Sequence, residues 1–141
     1  EDKELLKEGM EIIGKIKNAT TSLHTYFGDA GPLLSLFKDL PVDCIGIDCT
    51  ETPFSDILKC PFSGKEVALG IINARTPAME NPQEIIEKIE RFTHVADVKQ
   101  VWVTPNTGLE YIGWTLGKEK LSILEAVKRG FEQHARSVPC L

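Results

Sequence analysis

The sequence predicts an α/β fold built on a parallel sheet, and three observations support this class. Helical and strand-like hydrophobic periods alternate along the whole chain of 141 residues. The segment EVALGII is a nearly continuous apolar run, which is typical of a parallel strand buried on both faces. Helices interleave the strands too regularly for a sandwich or an antiparallel sheet. We therefore predict a fold of the (β/α)8 TIM-barrel family with four strand–helix units present.

The individual elements follow from these periods in order. Residues 2–18 carry apolar side chains at helical spacing and predict a leading helix. The predicted strands lie at 21–27, 43–48, 66–72 and 100–104. Two short helices are expected after the first two strands, the first of them with Pro32 in its opening turn. Asn81 and Pro82 predict the cap and first position of a third helix. The last helix is predicted at 115–135, with Leu121, Leu124, Val127 and Phe131 facing inward.

The length of the chain is about half of what a closed barrel requires. A complete barrel typically needs about 250 residues, and the leading helix of this chain has no strand before it. We therefore expect residues 1–141 to form a single domain, the carboxyl-terminal half of a barrel. Its sheet edges would be covered by a missing amino-terminal half or by a second copy. The alternative is an independent, four-stranded doubly wound domain.

Composition and charge narrow the classes of partner. A net charge of -5 with no run of Lys or Arg argues against a nucleic-acid partner. No apolar stretch approaches the roughly 20 residues that span a bilayer, and no secretory leader opens the chain, so we expect a cytoplasmic protein without a membrane partner. The cysteines form no CxxC pair, and we interpret them as reduced thiols. Cys44 and Cys49 are expected to act as small hydrophobic residues.

Polar side chains collect where the predicted strands end. The carboxyl ends of parallel strands meet at one face, and barrel proteins bind their ligands there. The candidate substrate-binding residues at these ends are His24, Tyr26, Asp48, Asn73, Arg75, Glu80, Asn106 and Thr107. We expect His24, Tyr26, Asp48, Arg75 and Asn106 to converge in one pocket, because strand alternation also aims His24 and Tyr26 the same way.

Five of these candidates have a structural alternative. His24 and Tyr26 could bind a substrate or fill the barrel mouth as an interior pair. A buried Asp48 needs a partner, for which Arg75 or His24 is available, so a structural ion pair is as good an interpretation as a ligand site. Arg75 with Glu80 could hold the carboxylate of an amino acid or glutamyl tail, or form a solvated loop pair.

The remaining aromatic and histidine side chains carry less functional signal. Trp102 is expected in the core or against a helix, and Tyr111 and Trp114 could roof a pocket or pack in a turn. His94 and His134 are expected on exposed helix faces.

Taken in order and spacing, four segments resemble the cobalamin-independent methionine synthase family. They are LHTYFGD, LPVDCIGID, VALGIINART and VWVTPNTGLE, and they match the second half of a barrel over nearly the whole chain. The resemblance implies a catalytic barrel with zinc, which turns the sulfur of homocysteine into a nucleophile, and a related amino-terminal barrel without zinc. TYFGD and LPVD look more like the amino-terminal barrel.

The zinc ligands that the resemblance implies are only partly present. His24 and Asp48 stand at the histidine and acidic ligand positions. Tyr26 and Thr107 stand where the family has cysteines. We therefore predict no metal site and no firm cofactor, because the two thiolates that would hold zinc are missing.

Three functions remain open. The first is a substrate-binding or partner barrel without its own zinc, which binds homocysteine or a methyl-pterin and works with a separate catalytic barrel in methyl transfer to homocysteine. The second is an active methyltransferase of the 5-methyltetrahydropteroyltriglutamate–homocysteine type with altered metal ligands. The third is a carboxylate-binding or decarboxylase-type barrel.

Overall fold

The computed structural model describes residues 2–137, with side chains described up to residue 132. Its strands are β1 (Ser22–His24), β2 (Cys44–Asp48), β3 (Glu66–Ile72) and β4 (Gln100–Pro105). Its α-helices are α1 (Asp2–Ile13), α2 (Leu34–Phe37), α3 (Phe54–Ile57), α4 (Pro82–Val95) and α5 (Trp114–Ser137). Short 3-10 turns at Gly31–Leu33 and Leu109–Tyr111 precede α2 and α5.

The strands form one parallel sheet in the order β1-β2-β3-β4, which confirms the predicted class. Each strand pairs with the next along the chain, and the order never reverses as it does at the switch point of a doubly wound sheet. All carboxyl ends therefore lie at the same edge of the sheet. The predicted positions of β2, β3 and β4 agree with the structure to within one residue.

The first helix and the first strand are shorter than predicted. α1 ends at Ile13, and the following Gly14 packs closely on Pro41: a β-carbon at Gly14 would lie 2.7 Å from the Pro41 carbonyl oxygen. β1 has only three residues. Its chain turns away after His24, and Phe27 adopts a left-handed backbone with a φ of 61°.

The core lies between the sheet and the helices. Its fully buried side chains include Ile45, Val67 and Leu69 from the strands and Phe92 from α4. α4 begins as predicted, because the Asn81 side chain accepts a hydrogen bond from the Gln83 amide at 2.9 Å and Pro82 occupies the first turn. α4 buries one apolar stripe against the sheet, formed by Ile85, Ile86, Ile89 and Phe92.

The opposite face of the sheet carries small residues and exposed rings. One row across the four strands consists of His24, Gly46, Ala68 and Trp102. Gly46 has no side chain here because the imidazole of His24 lies against it: a β-carbon would be 2.1 Å from Nδ1. Trp102 is 47% exposed and donates from Nε1 to Glu66 at 2.8 Å, so the prediction that it packs in the core was wrong.

Three of the four residues predicted to face inward from α5, Leu124, Val127 and Phe131, pack on the core, and Leu121 does not. Leu121 is 49% exposed, whereas Ile123 and Val127 are buried and Leu124 and Phe131 pack partly on the core. The inward stripe of α5 therefore runs through position 120 rather than position 121.

Candidate functional site

A polar network joins the ends of β2, β3 and β4. Asp48, the last residue of β2, is buried, and its carboxylate accepts hydrogen bonds from the Thr50 amide at 2.9 Å and the Thr50 hydroxyl at 2.7 Å. The Arg75 guanidinium lies 3.2 Å from the second carboxylate oxygen. The Asn106 amide donates to Asp48 at 3.4 Å and to the Thr50 hydroxyl at 2.9 Å. The buried charge of Asp48 is thus fully partnered within the chain.

The guanidinium of Arg75 is already shared between two acidic groups. Besides Asp48 it contacts the Glu51 carboxylate at 2.7 Å and the Thr50 hydroxyl at 3.0 Å. It also stacks over the Phe27 ring at 4.9 Å from the centroid. The structure therefore shows the ion pair between Asp48 and Arg75 that the sequence left as one of two interpretations.

The loop after β3 is tied to α5 by a buried lysine. The Lys120 ammonium is fully buried and lies 2.9 and 3.0 Å from the two carboxylate oxygens of Glu80. It also donates to the Ala78 carbonyl at 2.5 Å. Glu80 in turn accepts from the Asn73 amide at 2.8 Å. The sequence had suggested a pair between Glu80 and Arg75. In the structure Glu80 pairs with Lys120 instead.

The same loop is held against the end of β4. The Ala74 amide donates to the Asn106 side-chain oxygen at 2.9 Å, and the Asn73 side chain accepts from the Arg75 amide at 3.0 Å. Gly70 allows this close approach, because a β-carbon there would lie 2.9 Å from the Asn106 α-carbon. Asn106 is therefore a fixed link between two strand ends.

A cleft of about 410 Å³ opens beside this network. It is lined by His24 and Tyr26 from the end of β1 and by residues of β4 and the turn that follows, including Asn106, Thr107, Glu110 and Tyr111. Tyr26 and Tyr111 both contact Phe27 edge-on, with ring centroids 5.1 and 6.0 Å apart. The cleft therefore has an aromatic wall and a polar floor.

The candidate residues from the sequence fall into two groups. His24, Tyr26, Asn106 and Thr107 line the cleft. The other four, Asp48, Arg75, Asn73 and Glu80, form the hydrogen-bonded support behind Asn106 and do not line it.

Sequence reasoning did not identify Lys120, Phe27, Glu110 or Glu51 as parts of this region. Lys120 could have been found, because it lies four residues after Leu116 and three before Ile123 on the apolar stripe of α5. A lysine on such a stripe must be buried with a partner. Phe27 gave no signal, since aromatic residues rarely adopt a left-handed backbone.

The cysteines near the site are poor nucleophiles. Burial and the adjacent charge of Asp48 raise the pKa of the Cys49 thiol to about 12. Burial also raises the pKa values of Cys44 and Cys60. All three are free thiols, as expected, and Cys140 lies outside the described residues.

The residues present do not fit the zinc site that the resemblance implies. Both carboxylate oxygens of Asp48 are occupied by donors from the chain, and Tyr26 and Thr107 supply no thiolate. Among the side chains described, those of residues 2–132, no group of three His, Cys, Asp or Glu is arranged to hold a metal ion. His94 is exposed as predicted, and the side chain of His134 lies outside the described set.

These features define a parallel α/β protein with a cleft at the carboxyl ends of its outer strands, β1 and β4. The model that describes the catalytic domain of the cobalamin-independent synthases matches residues 10–129. The chain therefore belongs to the cobalamin-independent synthase family. Because the matching model is that of the catalytic domain, the finer assignment to a zinc-less amino-terminal barrel stays a prediction.

Individual relatives agree with this family. The 5-methyltetrahydropteroyltriglutamate–homocysteine methyltransferase of Nitrosomonas europaea is 28% identical over 139 residues, which cover 84% of this chain and 18% of the relative. The methionine synthase of Pyrococcus abyssi is 25% identical over 109 residues, which cover 75% of this chain and 32% of the relative. The chain thus spans less than a third of the length of these relatives.

A solved structure shares the fold. The B12-independent methionine synthase from Shewanella sp. W3-18-1, in complex with selenomethionine, superposes with a TM-score of 0.77 and 15% identity. The match covers 96% of this chain and 46% of that chain. No helix within residues 2–137 is long and apolar enough to cross a membrane.

Proposed function

We propose that this chain is part of a methionine-synthase-like barrel in methyl transfer to homocysteine, and that its strand-end cleft binds substrate without a zinc ion of its own. The observation that carries the proposal is that the Asp48 carboxylate is already hydrogen-bonded within the chain. This carboxylate is engaged by Thr50, Arg75 and Asn106 rather than left open toward the cleft. A zinc ion held as the family resemblance implies would need a carboxylate oxygen of Asp48 and two thiolates at the positions of Tyr26 and Thr107.

The geometry supports substrate binding at the same place. His24, Tyr26, Asn106 and Thr107 lie together although about eighty residues separate the first from the last. Asn106 is rigid, since both ends of its amide are hydrogen-bonded. A rigid polar group beside exposed aromatic rings is a common composition for a small-molecule site.

An active methyltransferase is the second candidate, and one observation favours it. The family model that matches residues 10–129 describes the catalytic domain. In this case other groups would replace the missing thiolates, and Cys49 is the nearest thiol in sequence to Asp48. The burial that raises the pKa of Cys49 to about 12 opposes that role, because zinc binds the thiolate.

A carboxylate-binding barrel is the third candidate and has the least support. Its recognition group would be Arg75, whose guanidinium already contacts Asp48 and Glu51. A ligand carboxylate would have to displace one of these partners.

Metal analysis separates the first two candidates. We expect purified protein to contain well under one zinc per chain, and a His24→Ala variant to contain the same trace amount. One firmly bound zinc per chain that is lost in His24→Ala would establish the active-enzyme candidate instead. Binding of a methyl-pterin to the cleft separates the first candidate from the carboxylate-binding one.

We also propose that residues 1–141 are the carboxyl-terminal half of a barrel in a cytoplasmic protein. The free thiols of Cys44, Cys49 and Cys60 are consistent with that compartment. β1 and β4 are the outer strands of the sheet, and an apolar groove of about 890 Å³ lies beside β4 between α4 and α5. α1 exposes Leu5 and Ile12.

These surfaces would be covered by the other half of the barrel or by a second copy. Sedimentation of the isolated chain should therefore show self-association. A monodisperse monomer at high concentration would contradict the half-barrel proposal.

A further inference from the structure

We propose that the cleft beside β4 binds a cationic ammonium group, which the Glu110 carboxylate and the rings of Tyr26 and Tyr111 would hold. The inference deepens the proposed function by assigning the end of the substrate that enters the cleft. It rests on that function only for the choice of homocysteine analogues as probes.

The charge of the cleft is the first argument. None of the described residues that line it is a lysine or an arginine, and Glu110 is its only acidic side chain. No hydrogen bond or ion pair within residues 2–132 engages the Glu110 carboxylate. The group is therefore free to accept a ligand, and it would repel a carboxylate or a phosphate.

The position of the nearest guanidinium is the second argument. Arg75 does not line the cleft, and its charge is balanced by Asp48 at 3.2 Å and Glu51 at 2.7 Å. Phe27 contacts this guanidinium and also the cleft-lining rings of Tyr26 and Tyr111. Phe27 thus contacts both the arginine and the cleft-lining rings, and because two carboxylates balance Arg75, it gives the cleft no net positive charge.

The hydrogen-bonding capacity of the cleft is the third argument. The Asn106 amide group donates to Asp48 and Thr50, which leaves it no proton for an anionic ligand. The Tyr26 and Tyr111 rings are each 57% exposed and present π-faces that attract cations. Phe27 holds these rings from a left-handed backbone that is costly for an aromatic residue, and such strain is concentrated at functional sites.

A matched set of small probes tests the inference. Homocysteine without its carboxylate is 3-aminopropane-1-thiol, and homocysteine without its amino group is 4-sulfanylbutanoate. Both are titrated into the 141-residue chain with tetramethylammonium as a third probe, and the backbone amide signals of Thr107, Gly108 and Tyr111 are followed by NMR. We expect the aminothiol and tetramethylammonium to shift these signals and 4-sulfanylbutanoate to leave them unchanged.

Four variants identify the groups responsible. Glu110→Gln should weaken aminothiol binding by up to about fivefold, the upper end of the usual range for losing one exposed charge contact. Glu119→Gln removes the same charge from an exposed position on α5 outside the cleft and should leave binding unchanged. Tyr111→Phe keeps the aromatic face and should bind like the wild type, whereas Tyr111→Leu should bind more weakly.

The outcomes separate this inference from the proposed function. If 4-sulfanylbutanoate binds as tightly as the aminothiol, or if Glu110→Gln keeps full affinity for the aminothiol, the ammonium assignment is overturned. If homocysteine binds equally well to Glu110→Gln, the proposed function stands without the inference. If tetramethylammonium binds in a Glu110-dependent way and homocysteine does not bind, the inference stands and the proposed function falls.

Discussion

Replacing Lys120, the buried lysine of α5, tests the ion pair that ties this helix to the loop after β3. Lys120→Met keeps most of the aliphatic stem and removes the ammonium that contacts Glu80 at 2.9 and 3.0 Å and the Ala78 carbonyl at 2.5 Å. The Glu80 carboxylate would then face the protein interior without its cation. We expect a large loss of stability for that reason.

The size of the loss follows from the burial of the two partners. Breaking a buried ion pair by removing one partner costs about 3–5 kcal/mol. The Lys120 side chain is 0% exposed and the Glu80 side chain 19% exposed, so water can recover only part of the cost at Glu80. Glu80 also keeps the hydrogen bond from the Asn73 amide. We therefore expect Lys120→Met to lower the free energy of unfolding by about 3 kcal/mol, the lower end of that range.

Urea unfolding measures this free energy, and two further variants isolate the pair. Lys128→Met removes an exposed ammonium 3.9 Å from Glu132 on the same helix, and it should change stability by less than about 0.5 kcal/mol. Lys120→Met combined with Glu80→Met removes both charges and should be more stable than Lys120→Met alone.

Hydrogen exchange in the loop after β3 distinguishes loss of the ion pair from loss of packing. Loss of the lysine should also speed hydrogen exchange at the Ala74 amide, which donates to Asn106. A loss below about 1 kcal/mol in Lys120→Met, equal to that in Lys128→Met, would refute the reasoning that Lys120 is a buried partner of Glu80.

Three smaller predictions follow from other features. Burial raises the pKa of Cys49 to about 12, so alkylation of this thiol at pH 8 should be roughly a thousandfold slower in folded than in urea-unfolded protein. For the same reason the free energy of unfolding should fall as the pH rises from about 8.5 toward 12. Equal alkylation rates in the two states would contradict this. Hydrogen bonds from the Thr21 amide and hydroxyl lower the pKa of Asp43, so the stabilising contribution of this carboxylate should be lost as the pH falls below about 3.8. Asp43→Asn should therefore reduce the change in the urea midpoint between pH 5 and pH 3. The same change with pH in wild type and variant would show that the pair is not formed. Gly46→Ala would place a β-carbon 2.1 Å from Nδ1 of His24, so the NMR signals of the imidazole should shift and the free energy of unfolding should fall by about 1–3 kcal/mol. Unshifted imidazole signals would mean that the ring does not lie against Gly46.

The parts of the fold that local patterns determine could be predicted from the sequence. β3 was predicted at its observed bounds because a fully buried parallel strand is apolar throughout. The start of α4 was predicted because Asn81 and Pro82 satisfy the first turn by themselves. β1 was predicted too long because its apolar residues continue into a turn that tertiary contacts impose.

The candidate site could be predicted only as a set of strand ends. The fold rule placed His24, Tyr26, Asn106 and Thr107 at one cleft. It could not say which acid would pair with Arg75, because the pairing of Glu80 with Lys120 depends on the rotation of α5 about its axis. A shift of one residue in that helix exchanges Leu121 for Lys120 on the inward face.

We propose that the cleft binds the substrate of methyl transfer without a zinc ion of its own. This proposal is tested most directly by titrating homocysteine into chelator-treated protein and mapping the NMR shifts onto the assigned amides. We expect saturable shifts at Tyr26, Thr107 and Tyr111, with the same affinity before and after chelation. Shifts that map elsewhere, or binding that appears only when one zinc per chain is restored and that disappears in His24→Ala, would contradict it.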